Sequence, residues 1–319
     1  MGPTCLVTGG SGFVGRRVAR FLADLGREVT VLDRSPAEGH PTVLADLGRT
    51  PIDLRREGFE HVYHVAGLAH LVPRTEEERR LFTTVNVEGT RGLLDGLERC
   101  AERPRTFVLV STVAVYGVEA GELLDEATPR RAEDPYGLTK RQAEDVVLEW
   151  GERHGVRTAV LRLPLVWGRG APGNLRRMVR AIAAGRYLGV GGGEARRSLV
   201  RLADVVEVLP RVEEAGGVFH LTDGHHPSFA ELEGALAASL GRGRPWRLPL
   251  PLARAAAGVG DALEALARRR MPFDRRALSK MTSTLTFSDE RARRVVSWRP
   301  TRVLDSIADM LDEGRGGVA

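Results

Sequence analysis

The sequence predicts an α/β protein built on a doubly wound parallel sheet, with a smaller mixed α/β lobe in its C-terminal half. Short apolar segments alternate with helical segments through the first half of the chain. This alternation is typical of a parallel sheet covered by helices on both faces. A glycine-rich turn joins the first strand to the first helix, and the alternation becomes irregular after about Pro164. We therefore expect the smaller lobe to begin near that proline.

The apolar pattern assigns the individual elements and the domain boundaries. We expect central strands at 4–8, 28–33, 42–45, 61–66, 106–111 and 158–163, with helices at 12–25, 76–100 and 136–153. The second half is predicted to contain helices at 175–184, 204–214, 229–240, 252–268, 289–296 and 303–311, and strands at 198–201 and 218–221. Residues 1–165, together with roughly 198–222, are assigned to a cofactor-binding domain, and residues 166–197 and 223–319 to a substrate-binding lobe.

Composition narrows the classes of ligand. The chain has 319 residues and a formal net charge of +5, but its charged residues of both signs are interspersed. This distribution argues against nucleic acid, whereas a small acidic ligand such as a diphosphate suits the mild positive balance. Cys5 and Cys100 are far apart and lack metal-ligand spacing, which indicates a reducing compartment and no metal site.

Hydropathy predicts a cytoplasmic protein without membrane insertion. No apolar run reaches about 18 residues. The nearest candidate, 252–267, is interrupted by Arg254, Asp261 and Glu264 and has the pattern of an amphipathic helix. We expect this helix to pack on the lobe, with attachment to a membrane surface as the alternative. The first strand begins at Thr4, which leaves no room for a signal peptide.

A tyrosine and a lysine stand at helical spacing in the segment Pro135-Tyr136-Gly137-Leu138-Thr139-Lys140. The chain has 47 Lys and Arg residues, of which two, Lys140 and Lys280, are lysine. A position that stays lysine against this bias needs a compact, titratable charge that arginine does not supply. Residues four apart share a helix face, and a nearby ammonium favours the phenolate. We therefore interpret Tyr136 as a general acid/base whose pKa is lowered by Lys140.

The segment Thr8-Gly9-Gly10-Ser11-Gly12-Phe13-Val14-Gly15 has the spacing of a dinucleotide-binding loop. Gly9, Gly12 and Gly15 allow a tight turn and a close approach of a pyrophosphate to the helix N-terminus. Asp33 ends the second strand, where a carboxylate accepts hydrogen bonds from ribose hydroxyls and repels a 2′-phosphate. The expected cofactor is therefore NAD, with NADP as a possibility because Arg34 follows directly.

These motifs occur in a fixed order with several others. The further segments are Asp46-Leu47, His64-Val65-Ala66-Gly67, Asn86-Val87-Glu88-Gly89-Thr90 and Ser111-Thr112-Val113-Ala114-Val115-Tyr116-Gly117. Together the set resembles an extended short-chain dehydrogenase/reductase of the NAD-dependent epimerase/dehydratase kind, and the resemblance covers essentially the whole chain. It implies a Rossmann-type fold for the first domain.

The resemblance also implies roles for individual residues. Tyr136 is similar to the catalytic acid/base of the family and Lys140 to its partner, which also contacts the nicotinamide ribose. Thr112, four positions before Tyr116, corresponds to the catalytic Ser/Thr that hydrogen-bonds the reacting oxygen. Beyond Gly9, Gly12, Gly15, Asp33 and Arg34, the implied cofactor contacts are Phe13, Val14, Asp46, Leu47, His64, Ala66, Gly67, Asn86, Val110 and Leu163, with Tyr136 and Lys140 shared.

The implied substrate is a nucleoside-diphosphate sugar that reacts at carbon 4, in a 4-epimerase or a 4-keto-sugar reductase. The resemblance places Arg197 and Asn174 at the diphosphate. Thr112, Val113, Tyr136 and Lys280 complete the expected substrate contacts. Leu165 departs from the pattern, because many sugar-nucleotide epimerases carry asparagine there.

Two alternatives stay open. A 3β-hydroxysteroid or β-hydroxy-acid dehydrogenase on the same scaffold is favoured by Leu165 and by the largely apolar helix at 252–268. A non-catalytic module that senses NAD(H) is disfavoured by the intact Thr112, Tyr136 and Lys140 set. Dehydratase activity is not expected, because Val113-Ala114 occupy the positions of the acid/base pair that it needs. Relatives commonly form homodimers through two helices, and 76–100 and 136–153 are the segments that would do so here.

Overall fold

The computed structural model describes residues 2–54, 58–267 and 273–308. In this part of the chain the strands are β1 (Thr4–Thr8), β2 (Glu28–Asp33), β3 (Thr42–Leu44), β4 (His61–His64), β5 (Thr106–Thr112), β6 (Gly121–Leu124), β7 (Arg157–Leu163), β8 (Leu165–Trp167), β9 (Leu188–Val190), β10 (Leu199–Arg201), β11 (Gly217–His220), β12 (Trp246–Leu248) and β13 (Leu285–Phe287). The helices are α1 (Phe13–Asp24), α2 (Glu76–Thr83), α3 (Gly89–Glu98), α4 (Pro135–His154), α5 (Gly173–Ala183), α6 (Leu202–Glu207), α7 (Leu209–Ala215), α8 (Phe229–Ser239), α9 (Leu250–Ala267), α10 (Arg275–Thr282) and α11 (Glu290–Val295).

Seven parallel strands form the central sheet, in the order β11-β7-β5-β4-β1-β2-β3. Strand β1 lies between β2 and β4, so the direction in which the chain adds strands reverses there. Ligands of open α/β sheets bind in the crevice beyond the carboxyl ends of the strands at such a reversal. The predicted fold class is confirmed, and the topology fixes where the site must lie.

Apolar side chains cover both faces of the sheet. On one face α1, α6 and α7 pack against β1, β7 and β11, and on the other α3 and α4 pack against β4 and β5. A third cluster lies in the C-terminal half, around Trp167 of β8, Met178 of α5 and Leu236 of α8. The three clusters accord with a large domain and a smaller lobe, whose boundaries stay a prediction.

The helix predicted over 76–100 is interrupted. It consists of α2, a π-helical turn at Thr84–Glu88, and α3. The wider turn contains Asn86, whose amide accepts a hydrogen bond from Leu68 N at 2.7 Å and donates to Thr139 Oγ at 3.1 Å. These bonds tie the turn to α4 and to the loop after β4, and π turns often mark functional sites.

The second half differs more from expectation. The helix predicted at 204–214 is divided into α6 and α7, because Pro210 has no N–H to continue the helical ladder. Strands β6, β8, β9, β12 and β13 and helix α10 were not predicted. The five unpredicted strands lie in two-stranded parallel pairs: β8 pairs with the predicted β10, β9 with β12, and β6 with β13. The end of the helix predicted at 303–311 lies outside the described residues, which show a 3₁₀ turn at Leu304–Ser306.

Candidate active site

A cleft of about 730 Å³ opens at the carboxyl ends of β1, β2, β4, β5 and β7. The glycine loop and the end of β2 line one part of it, and the loop after β4, the segment after β7 and the start of α5 line the other. Tyr136 and Lys140 lie between these two parts. We call these parts the nucleotide end, the reacting centre and the substrate end, after the roles that the sequence predicts for their residues.

Close backbone packing shapes the glycine loop. Gly9 has a φ of +72°, and a Cβ there would lie 2.8 Å from Ala66 Cα. A Cβ on Gly15 would lie 2.1 Å from the Gly9 carbonyl oxygen. Gly12 is the N-cap of α1, and within the described residues no side chain caps this helix. The first N–H groups of α1 thus remain available to an anion, and the loop fits the pyrophosphate of a dinucleotide.

The carboxylate of Asp33 is held at the end of β2. Oδ2 accepts hydrogen bonds from Ser11 N at 2.9 Å and from Ser11 Oγ at 2.8 Å. Oδ1 accepts one from Arg34 N at 2.7 Å. The sequence reasoning did not single out Ser11, although its place inside the glycine loop was a usable signal. These bonds orient Asp33 toward the nucleotide end of the cleft before any ribose is bound.

Helix α4 delivers the tyrosine and the lysine. Asp134 caps the helix by accepting a hydrogen bond from Gly137 N at 3.1 Å, and Pro135 occupies its first turn. A Cβ on Gly137 would lie 2.5 Å from the Ala114 carbonyl oxygen, so this glycine lets α4 approach the 3₁₀ turn at Val113–Tyr116. The approach brings Tyr136 within hydrogen-bonding reach of Thr112 at the end of β5.

Burial dominates the electrostatics of Tyr136. Its ring contacts Phe82 edge-on, with the ring centroids 6.4 Å apart. Burial raises the pKa of Tyr136, and the hydrogen bond with Thr112 opposes that rise. The sequence led us to expect that Lys140 lowers this pKa, but the net shift in this structure is upward. The raised pKa keeps the phenol of Tyr136 protonated, which is the state that a general acid needs.

Lys140 is 5% exposed and donates a hydrogen bond to the Val110 carbonyl at 2.8 Å. Burial lowers the pKa of Lys140 to about 8, and the nearby carboxylate of Glu144 opposes the shift. An ammonium has three N–H donors, and the described residues supply one acceptor. The other donors are free for a ligand in the cleft, as a contact with a ribose requires.

A buried ionic network lies behind Lys140. Glu144, one turn further along α4, is 0% exposed and accepts hydrogen bonds from Ser111 Oγ at 2.5 Å and from Arg162 Nη2 at 2.8 Å. Arg162 Nη1 also donates to Tyr116 Oη at 2.7 Å, and Tyr116 Oη is 2.5 Å from Nε2 of His220. The network joins β5, α4, β7 and β11 directly beneath the reacting centre.

Most of the predicted site residues line this cleft. They are Gly9, Gly12, Phe13, Val14, Gly15, Asp33, Arg34, Asp46, Leu47, Ala66, Gly67, Val110, Thr112, Tyr136, Lys140, Leu163 and Asn174. Five predicted residues are outside its lining, namely His64, Asn86, Val113, Arg197 and Lys280. The roles assigned to individual residues stay predictions.

His64 and Asn86 lie behind the lining. His64 is 1% exposed, and its ring nitrogens are 2.7 Å from Thr8 Oγ and 2.9 Å from Thr90 Oγ. Burial lowers the pKa of His64 to about 3. Asn86 is 3% exposed and holds the backbone of Leu68. Both side chains brace the loop after β4 rather than present polar atoms to the cleft.

Arg197 and Lys280 lie at the C-terminal end of α10. The Arg197 guanidinium donates hydrogen bonds to the carbonyls of Ser283 and Lys280, and its carbon lies 5.7 Å from the centre of the Phe229 ring. Lys280 is exposed. In this arrangement Arg197 fastens α10 to the lobe, and it does not line the cleft.

The substrate end of the cleft is largely apolar. Its lining includes residues that the sequence reasoning did not single out, namely Leu68, Ala69, His70, Leu71, Val72, Leu81, Val85, Pro164, Val166, Pro172 and Arg177. Leu165 is 40% exposed at its edge. The polar side chains of this end include His70, in the loop after β4, and Asn174 and Arg177, both on α5. The apolar run 65–72 after β4 was a usable sequence signal, but periodicity does not reveal what a loop faces.

The described residues contain no group of three or more His, Cys, Asp and Glu side chains that could hold a metal ion. Within the same residues, no helix is long and apolar enough to cross a membrane.

Comparison with known proteins identifies relatives of this chain. The model of the NAD dependent epimerase/dehydratase family matches residues 5–219. A 4-hydroxy-2-methyl-3-oxo-4-farnesyl-3,4-dihydroquinoline-1-oxide ketoreductase from Stigmatella aurantiaca is 31% identical over 312 residues, covering 92% of this chain and 90% of that protein. The N-acetyl-alpha-D-glucosaminyl-diphospho-ditrans,octacis-undecaprenol 4-epimerase of Escherichia coli O157:H7 is 26% identical over 298 residues, covering 90% and 88%.

Solved structures have the same fold. A UDP-glucose 4-epimerase from Thermus thermophilus, in complex with NAD, superposes with a TM-score of 0.76 at 25% identity. The match covers 99% of this chain and 100% of that one.

Proposed function

The chain belongs to the NAD dependent epimerase/dehydratase family, and we propose that it interconverts a secondary alcohol and a ketone with Tyr136 as the acid/base. One observation carries this proposal: Thr112, Tyr136 and Lys140 line one cleft together with a loop that fits a dinucleotide pyrophosphate. Its cofactor is NAD, which supplies the acceptor or donor of the hydride when it is bound.

The chain's own residues hold and move the proton. Thr112 and Tyr136, which lie within hydrogen-bonding reach of each other, would both face the oxygen of the reacting carbon. When the ketone is reduced, the protonated Tyr136 gives its proton to the ketone oxygen and becomes a phenolate. When the alcohol is oxidised, that phenolate takes the hydroxyl proton back. Lys140, held at Val110, supplies a positive charge that favours the phenolate during the transfer. Thr112 keeps the substrate oxygen in line with Tyr136.

The leading substrate is a sugar that carries a diphosphate and reacts at carbon 4, through epimerisation or reduction of a 4-keto group. Asn174 and Arg177 at the start of α5 support this choice, because a guanidinium and an amide suit diphosphate oxygens. The names of the E. coli O157:H7 and Thermus thermophilus relatives, both 4-epimerases of sugars attached to a diphosphate, support it as well.

A second candidate is favoured by the apolar lining of the substrate end. An alcohol or ketone on a sterol or another bulky apolar body would bury its surface against Leu68, Leu71 and Leu165. The Stigmatella aurantiaca relative, by its name, reduces a ketone of a farnesyl-bearing quinoline. In this case Asn174 and Arg177 would contact solvent or polar edges of the substrate.

A ligand panel separates the two candidates. With NAD present, nucleoside diphosphates, nucleotide-sugars, sterols and prenylated ketones are compared for the shift that each produces in the thermal unfolding temperature, followed by assays of turnover. A shift with nucleotide-sugars that Arg177→Ala removes supports the sugar. A shift with apolar ketones alone rules the sugar out in favour of the second candidate.

A further inference from the structure

Among its described side chains, helix α9 packs on the lobe through two alanines and Leu250, and it exposes two larger apolar residues. Ala253 and Ala257 are 0% exposed and pack on the lobe beside Val190 and Leu278. On the outer side, Leu252 and Val259 are each 59% exposed. A helix that merely packs on a lobe turns its large apolar residues inward. The outward face is therefore arranged for a second apolar environment.

These outward residues form a continuous surface, which we call the α9 stripe. It consists of Leu252, Ala255, Ala256, Val259 and Ala262, all of them exposed. Their spacing of three and four residues places them along one side of the helix. Burying such a stripe removes apolar surface from water, which is the driving force for docking.

An exposed tryptophan stands just before the helix. Trp246 on β12 is 85% exposed, and the residue paired with it on β9, Leu188, is 50% exposed. The three other tryptophans of the chain, Trp150, Trp167 and Trp298, are at most 4% exposed. Tryptophan is enriched where a protein meets the boundary between lipid and water, because its ring is apolar and its N–H is polar.

The surroundings of the stripe are basic. Residues 241–260 contain four arginines and no acidic residue, and Asp261, which follows, is paired with Arg275 at 3.2 Å. Arg242, Arg244 and Arg254 are exposed, as is Arg186 just before β9. Within the described part of the chain, these exposed arginines at 186, 242, 244 and 254 form no ion pair, whereas Arg247 is paired with Glu233. Unpaired guanidinium groups around an apolar stripe complement an anionic surface.

A cavity of about 430 Å³ lies between α9 and α10, beside the stripe. Its lining includes the unpaired guanidinium of Arg254 and that of Arg275, which is paired with Asp261 at 3.2 Å. The hydroxyls of Ser279 and Thr282 also line it and donate to Glu119 and to the Leu278 carbonyl. Guanidinium and hydroxyl groups are donors suited to phosphate oxygens. Arg254, on the same helix as the stripe, is thus the donor available to an anionic headgroup.

We propose that Trp246 and the α9 stripe dock this protein on the surface of an anionic lipid bilayer. A second copy of the chain fits less well, because a two-fold interface through this region would bring its arginines against each other. The helix would lie in the plane of the interface and not cross it, with the arginines at the headgroups. The attachment is independent of the substrate that the cleft takes.

Because the other three tryptophans are buried, a change in tryptophan emission on adding vesicles reports on Trp246. The full chain is mixed with phosphatidylcholine vesicles containing about one quarter phosphatidylglycerol, or with phosphatidylcholine alone. We expect co-sedimentation with the anionic vesicles and a blue shift of tryptophan emission. Trp246→Phe should abolish the blue shift. Absence of wild-type binding to the anionic vesicles would overturn the proposal.

Matched variants locate the contact. Leu252→Glu with Val259→Glu should weaken binding to anionic vesicles by at least about tenfold, because each carboxylate would meet lipid and negative headgroups. The control pair is Leu44→Glu with Val295→Glu, which also replaces exposed apolar residues, 61% and 47% exposed, far from α9 in sequence. It should bind as the wild type does. Equal losses in both pairs would contradict the proposal.

Light scattering tests whether a second copy of the chain, rather than a bilayer, covers the stripe. If the Leu252→Glu and Val259→Glu variant changes from dimer to monomer and the wild type ignores vesicles, the stripe is a subunit interface and the proposal is wrong. Thermal unfolding and NAD binding should stay at wild-type values in both pairs of variants, because all four residues are exposed and lie outside the cleft.

Discussion

Arg162 and Glu144 form a buried, bidentate ion pair one helical turn beyond Lys140. Arg162 Nε lies 3.2 and 3.1 Å from the two carboxylate oxygens, and Nη2 lies 2.8 Å from Oε2. The two side chains are 4% and 0% exposed. Arg130 Nη1 also lies 3.2 Å from Glu144 Oε2, whereas within the described residues Arg162 has no second carboxylate partner. Removing the charge of Glu144 therefore leaves the guanidinium of Arg162 buried without compensation.

Glu144→Gln should therefore destabilise the fold by about 3–5 kcal/mol in urea unfolding. It should also move the pKa of Lys140 further below about 8, because Glu144 is the group that opposes the effect of burial. The control is Glu149→Gln, which breaks the exposed pair with Arg153 on the same helix and should change stability by at most about 0.5 kcal/mol. Similar losses in both variants would mean that burial does not govern the pair.

Lys140→Arg tests whether charge alone suffices at this position. The ammonium sits 2.8 Å from the Val110 carbonyl in a nearly closed space, where a planar guanidinium has neither the room nor the geometry. Turnover should fall by at least about a hundredfold, the range of general acid–base catalysis, with the circular dichroism spectrum unchanged. An active variant would move the chemistry away from Tyr136 and Lys140.

Tyr136→Phe should lose at least as much turnover as Lys140→Arg. The double variant should lose little more than the worse single variant, because groups that act as one unit are non-additive. Steady-state rates of the three variants measure this directly. Additive losses would indicate that the lysine serves NAD binding alone, and a matching loss of NAD affinity in Lys140→Arg would accompany that result.

Acid should destabilise the protein through buried histidines. Burial lowers the pKa of His64 to about 3 and that of His220 to about 4, from an ordinary value near 6.5. Below about pH 6.5 the unfolded chain binds protons that the folded chain does not, so the free energy of unfolding falls as pH falls. Each histidine contributes up to about 1.4 kcal/mol per pH unit over that window.

Urea unfolding from about pH 7 to about pH 5 measures this slope. His64→Asn keeps polar atoms for Thr8 and Thr90 and should make the slope shallower. His40→Asn removes a histidine that belongs to neither buried network and should leave the slope unchanged. A wild-type stability that rises on acidification over this range would contradict the assignment.

The sheet could be predicted from the sequence because buried parallel strands are continuous apolar runs. Strands β1 and β2 match the predicted bounds, and the glycine loop, Asp33 and Tyr136 all meet in the cleft. Local spacing carries this information, since the loop must join a strand to a helix and Tyr136 and Lys140 must share a helix face.

The sequence does not show which way a side chain points, because tertiary packing determines its orientation and partners. His64 stands in a motif beside the cofactor loop, but its ring turns inward to Thr8 and Thr90. Arg197 has the residue type expected at a diphosphate, yet it binds carbonyls at the end of α10. Three-residue strands such as β9 and β12 carry no periodicity, because they are shorter than the pattern that would identify them.

Asp33→Ala tests how the cleft chooses its cofactor. Its carboxylate is already oriented by Ser11 and Arg34, so it can accept ribose hydrogen bonds without rearrangement. The substitution should weaken NAD binding by about 1.5–3 kcal/mol, as for a hydrogen bond to a charged group. NADP binding should suffer less or improve, because the repulsion of its 2′-phosphate is removed. Calorimetric titration of both cofactors measures the difference.

Ser11→Ala is the matched variant for this prediction. It removes the hydroxyl that donates to Asp33 and keeps both the carboxylate and the backbone N–H of residue 11. NAD binding should therefore weaken by about 1 kcal/mol at most, the value of one ordinary hydrogen bond. A wild-type protein that prefers NADP would reverse the interpretation, because Arg34 would then act as the phosphate clamp and Asp33 would serve only to hold the glycine loop.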